Sequence, residues 1–199
     1  LRSLWLCDGA QAFLDRHSGN PEYAGKQENA KWREKSRGKP YNFRFDALKF
    51  HKQCMIPEHA AKYLPDGEIM VWLDADVVTF APVPSGLVED LIDYADLAYL
   101  GRKSAHSEIG FWAIRLNDST RAFVADLAHL YSSDLIFSLG EWHSAYAFDH
   151  CRRIYEKHGG VSRNLTPDGY GHVWFQSPIG RYTDHCKGRR KKLGRSPER

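Results

Sequence analysis

The stretch "EIMVWLDADVV", residues 68–78, decides how the rest of the chain is read. Its apolar run predicts a strand buried in a core. The run nevertheless closes on two aspartates one residue apart, Asp74 and Asp76. A buried, unpaired carboxylate is costly, and two side by side also repel each other. Side chains at i and i+2 of a strand point the same way, so extended backbone as far as Asp76 would aim both carboxylates at one ligand. A divalent cation is a common remedy for such a pair, and Mg2+ or Mn2+ suits hard oxygen donors together with substrate phosphates. Acidic pairs at strand ends also cap helices or pair with arginine, so the bare motif leaves both readings open.

Upstream, "PDG" at 65–67 is a turn signal. Before it, "YNFRFDALKFHKQCMI" carries Phe45, Leu48, His51/Lys52 and Met55 at helical spacing. Pro57 should end that helix or open a second, "PEHAAKYL". The chain opens on Leu1 with a short strand, "SLWLC", and a turn at Asp8-Gly9, which reads as a missing start. Residues 17–40 are polar and aperiodic and read as a long loop. Downstream, "VVTFAPVP" is extended, "SGLVEDLID" helical, and "DLAYLG" and "GFWAIRLN" (110–117) are strands. Asn117 or Asp118 caps the helix "STRAFVADLAHLYSS", whose Phe123, Val124, Leu127, Leu130 and Tyr131 form one apolar stripe. A helix over about 141–158 stops at Gly159-Gly160, and "HVWF" (172–175) suggests a last strand.

Strands alternating with helices, the strands being continuously apolar, predict an α/β fold with a mostly parallel sheet flanked by helices. It reads as one domain over 1–190 with a basic tail over 191–199. Ligands of such sheets sit beyond the carboxyl ends of the strands, where Asp74 and Asp76 stand.

No apolar run among the 199 residues is long enough for a transmembrane helix, which predicts no integral membrane segment. The four cysteines, Cys7, Cys54, Cys151 and Cys186, lack C-x-x-C spacing. They read as free buried thiols in a reducing, cytoplasmic setting. From Arg181 onward eight Lys or Arg face only Asp184 and Glu198, a local +6 within an overall +3, leaving the first 180 residues at −3. Such an end suits an anionic ligand, but beyond about Arg190 it reads as solvated and partly disordered. Nothing in it resembles a nucleic-acid-binding motif.

"VWLDADVV" closely resembles the D-x-D segment of GT-A glycosyltransferases, which use a nucleotide-sugar donor. Four further segments resemble that superfamily in the same order: "FRFDALKF", "SEIGFWAIRLN", "EWHSAYAFD" and "SPIGRYTDHCKGRRKK". Together they span about residues 41–192. The resemblance implies a Rossmann-type GT-A-like sheet, here lacking the first strand and helix. It implies Mn2+ or Mg2+ held by Asp74, Asp76 and His185. It also implies a UDP- or GDP-sugar donor met by Asp46, Lys49, Asp74, Lys187 and Gly188, and a saccharide or other hydroxyl-bearing acceptor. Glu108, Asp149 and His143 would face the transferred sugar or the acceptor as catalytic groups. The family helix often carries an acid where Ser144 stands, a departure on the acceptor side.

Plainer readings stand beside these. Glu108 can instead pair with Arg102 or Lys103, Asp46 and Lys49 can form a helical surface pair, and Trp112 and Trp142 can be core residues. A nucleotidyltransferase would also use paired acids, but needs a Gly-rich phosphate loop where this chain has only "CDGAQ". A non-catalytic anion-binding module is the third possibility.

Overall fold

The computed structural model of the chain describes residues 7–26 and 40–197. Its contacts group the chain into two compact units, each assembled from two stretches of sequence: 1–63 with 121–153, and 64–120 with 154–199. The expected strand "SLWLC" lies almost wholly outside the described residues.

The first unit is helical. Helix α1 (Asp8–His17) stands where a turn is expected, with Ala10, Phe13 and His17 buried at helical spacing. Helix α2 (Ala47–Ala61) is continuous through Pro57, which neither ends it nor opens a second helix. What Pro57 forgoes is one backbone hydrogen bond, to the Gln53 carbonyl. Helix α4 (Asp118–Ser132), from Arg121 on, and helix α5 (Ser144–Lys157), as far as Arg153, complete the unit. The α4 stripe of Phe123, Val124, Leu127, Leu130 and Tyr131 is buried throughout, as its periodicity predicts. Around Phe13 gather the rings of His17, His51, Tyr131 and Phe137. Trp142 adds its edge contacts to Phe45 and Phe137. The Tyr131 hydroxyl donates to the Trp142 carbonyl at 2.9 Å, so the one polar atom on that ring is satisfied within the aromatic cluster.

The second unit holds the sheets. Strands β1 (Ile69–Leu73), β3 (Leu97–Leu100), β4 (Glu108–Arg115) and β5 (Ser162–Asn164) form one sheet in the order β1-β4-β3-β5. β2 (Val77–Thr79) and β6 (Thr183–His185) form a separate antiparallel pair. The four-stranded sheet is mixed: β1 with β4 and β3 with β4 run antiparallel, and only β3 with β5 is parallel. The expectation of a mostly parallel sheet is therefore corrected. The segment 101–107 between β3 and β4 is too short for the crossover of a dozen or more residues that a parallel neighbour needs. Continuous apolarity reports burial on both faces, not strand direction, and β3 and β4 are buried because they are central.

β1 is the opposite case. It is an edge strand, with Met70 buried but Val71 and Leu73 exposed, so the fully buried strand expected here is also corrected. "HVWF" is not a strand either. Val173 and Trp174, adjacent and both buried, lie in a 3-10 turn, which turns two consecutive side chains inward as a pleat cannot. Trp174 packs with Phe111, Leu100 and Ala113 of the sheet and with Leu91 and Ile92 of helix α3 (Leu87–Ile92). Asn117 caps the chain entering α4, its Oδ1 accepting from the Thr120 N–H at 2.9 Å while Thr120 Oγ1 accepts from the Asn117 N–H at 3.0 Å. All four cysteines are free and buried. Among the described residues no helix is long and apolar enough to cross a membrane.

Candidate metal centre

The D-x-D segment stands where β1 ends. The Asp74 N–H still donates to the Gly110 carbonyl of β4 at 2.9 Å, prolonging the ladder by one bond. The chain then turns: the Val77 N–H donates to the Asp74 carbonyl at 3.1 Å, closing a four-residue turn over 74–77. The two carboxylates are thus brought together by a turn and not by the pleat. Directly after it β2 pairs with β6, setting Val77 opposite His185, and the Cys186 N–H donates to the Asp76 carbonyl at 3.3 Å. Residues about a hundred positions apart so meet at one point.

His185 is fully buried, its ring edge-on to Trp174 with centroids 4.8 Å apart. Its Nε2 lies 2.9 Å from Asp76 Oδ1 and 3.5 Å from Asp74 Oδ2. One donor atom from each of the three residues falls within 4.8 Å of the others. Adjacent ligands of an octahedral Mg2+- or Mn2+-sized ion stand about 3 Å apart, so a small inward movement suffices to close this set on an ion. Two hard carboxylates with one imidazole are chemically suited to such an ion. The Trp72 indole N–H donates to Asp74 Oδ1 at 3.0 Å and fixes that carboxylate from behind.

Behind the imidazole stands Glu108. Its Oε1 is 3.6 Å from His185 Nδ1, which is buried and has no hydrogen-bond partner among the described residues. The same carboxylate accepts from Lys187 Nζ at 2.6 Å and from the Gly110 N–H at 3.1 Å, and pairs with Arg102. Gly110 is required here, because a Cβ on it would lie 2.3 Å from the His185 ring. Burial alone would raise the Glu108 pKa, but Lys187 and Arg102 outweigh it and hold the carboxyl at about 2. Asp76 follows the same logic. Burial favours its neutral form, while Lys191, 2.9 Å from Oδ2, and His185 keep it below the usual carboxylate range. Burial and Lys187 push His185 down, against the upward pull of Glu108, Asp76 and Asp74, and the net direction is down.

Of the sequence candidates, Asp74, Asp76, His185, Glu108 and Lys187 are gathered in this cluster, and Gly188 follows it with φ 58°. The pairing of Glu108 with Arg102, the plainer reading of that acid, is present. Asp46, Lys49, His143 and Asp149 belong to the first unit and have local partners. Asp46 is the N-cap of α2, its Oδ1 accepting from the Lys49 N–H at 2.9 Å and its Oδ2 from the Tyr41 hydroxyl at 2.9 Å. The Lys49 ammonium lies 5.1 Å from the centre of the Phe50 ring. His143 Nε2 meets Glu141 Oε2 at 2.7 Å, and Asp149 faces Arg152 at 3.4 Å. Trp112 is buried within β4, stacked against Trp72 across the ladder.

Sequence reasoning missed Trp72, Lys191 and the contact between Asp184 and Ser196. A tryptophan two residues before an aspartate, which reaches it along one face of a strand, is the one local signal for any of these. The basic end is not simply solvated up to Pro197, because Ser196 is buried and Lys191 is paired.

No known protein family, curated protein or solved structure matches the chain.

Proposed function

We propose that the chain is a metal-dependent glycosyltransferase of GT-A type, transferring a sugar from a UDP- or GDP-sugar to a saccharide or other hydroxyl-bearing acceptor. The observation that carries this reading is the convergence of Asp74, Asp76 and His185 on one point, with Lys187 two residues beyond the histidine. A divalent ion, Mn2+ or Mg2+, would supply charge neutralisation and Lewis acidity to the diphosphate leaving group there. The chain's own residues do the rest. Trp72 orients Asp74, and Glu108 faces the far nitrogen of His185, which leaves Nε2 toward the carboxylates. Lys187 is held by Glu108 but remains part-exposed, so a diphosphate oxygen can share its ammonium. Glu108 suits this positioning role better than that of a general base, since a carboxyl held at about 2 between two cations takes a proton poorly.

A nucleotidyltransferase draws less support, because "CDGAQ" folds as the start of α1 and not as a phosphate loop. The deciding experiment is calorimetric titration of UDP and GDP, with and without Mn2+, into the wild type and Asp76→Ala. Binding that needs Mn2+ and disappears in the variant is expected. No binding to the well-folded full-length chain, or binding indifferent to Mn2+, would sink the proposal.

A further inference from the structure

We propose that residues 188–196 form a clasp that keeps an internal cation, the Lys191 ammonium, on Asp76, where an incoming divalent ion has to displace it. The inference rests on the metal-site reading above and adds a regulation of that site.

The anchor is Asp184. It is fully buried on β6, next to His185, and its polar oxygens have to find partners there. Ser196 meets it twice: the hydroxyl donates to Oδ1 and the N–H to Oδ2, each at 2.6 Å. Short bonds to both oxygens of one carboxyl group hold the two residues in a fixed geometry, and Ser196 is itself fully buried. Between anchor and cluster runs helix α6 (Arg189–Leu193), bounded by Gly188 at φ 58° and Gly194 at φ 65°. Glycine adopts the positive φ of both without strain, and Gly194, in the left-handed conformation, closes the helix. That short arch presents Lys191 Nζ to Asp76 Oδ2 at 2.9 Å.

The charges explain why a cation belongs there. Asp74, Asp76 and Glu108 bring three carboxylates together. Lys187 and Arg102 both pair with Glu108, whereas Lys191 pairs with Asp76. An exposed lysine alone holds an ion pair weakly, because ordering its side chain offsets most of the attraction. Tethering at Ser196 raises the local concentration of the ammonium without any new contact at Asp76. Anchor and lysine therefore act as one device, and the Asp76 carboxylate, Oδ1 toward His185 and Oδ2 toward Lys191, is shared between the ammonium and any metal.

The test is titration of Mn2+ alone into full-length wild type, Lys191→Met, Ser196→Ala and Asp76→Ala, with hydrogen exchange of residues 189–197 followed in metal-free samples. Mn2+ should bind about two- to five-fold tighter to Lys191→Met and less than two-fold tighter to Ser196→Ala, both gains shrinking at high salt. Exchange should speed up in Ser196→Ala. Unchanged or weaker Mn2+ affinity in Lys191→Met, with the wild type still binding, overturns the clasp and leaves the metal site standing. Unchanged exchange in Ser196→Ala overturns the anchor. Absence of Mn2+ binding in every variant removes the metal site and the competition with it.

Discussion

The first unit and the second bury polar groups in different ways. In the first, buried polar groups are met by one or two neutral or oppositely charged partners each: Asp46 caps its own helix and accepts from Tyr41, His143 meets Glu141, the Tyr131 hydroxyl finds the Trp142 carbonyl, and His17 reaches Asp134 and Ser144 reaches Gln53 from far along the chain. In the second, Asp74, Asp76, Glu108 and His185 are pressed into one cluster, its members drawn from the ends of β1, β4 and β6. Separate pairings of this kind serve the fold. A partly buried network of carboxylates and cations is weak support for stability and is more readily understood as something built for a ligand. The contrast separates residues whose loss should unfold the chain from residues whose loss should empty a site.

The hardest blow to the first unit is Phe13→Ala. Phe13 is fully buried among four rings, and truncation should cost about 3–5 kcal/mol in urea unfolding. A loss below about 1 kcal/mol would mean that the neighbouring rings close over the gap and that the cluster does not depend on Phe13.

Glu108 probes the second unit through pH. Its folded pKa is depressed to about 2 from 4.5, so its contribution is fully present above the ordinary value and is lost as pH falls towards 2. The shift corresponds to roughly 3 kcal/mol. Glu108→Gln should lower stability near neutral pH and flatten the acid limb between about 4.5 and 2. Parallel stability curves for the two proteins across that window would show that the two cations do not hold the carboxylate ionised.

Asp46→Ala is the smallest effect and the finest division. Loss of an N-cap costs about 1 kcal/mol, and Mn2+-dependent nucleotide binding should survive it. Nucleotide binding lost from a folded Asp46→Ala would return this residue to the donor site and blur the line between the two units.

Much of the candidate site is legible in the sequence because it lies in two short segments. "LDAD" sets two carboxylates one residue apart at a strand end, and "DHCKG" sets an imidazole two residues before a lysine. Helix α1 has its own periodic signal in Ala10, Phe13 and His17, but Asp8-Gly9 reads as a turn, because the same residue types serve turns and helix starts. Lys191 is hidden among five other Lys and Arg after Gly188, where nothing local distinguishes a paired lysine from a solvated one. Asp184 and Ser196 carry no signal either, since a buried hydrogen bond between a strand and a distant loop leaves no periodicity.

By itself the sequence determined most element positions and the chemistry on offer, because apolar period, caps and turn residues act over a few neighbours. It determined that paired carboxylates, a histidine and a lysine were present in two short segments. Only the tertiary structure decided that the sheet is mixed, that β1 is an edge, and that Asp74 and Asp76 converge through a turn. It alone placed Arg102 and Lys187 on Glu108 and Lys191 on Asp76. Strand direction follows from connection length and neighbour pairing, and a carboxylate's partner from whichever distant cation the fold brings within reach. Neither is encoded in the residues on either side.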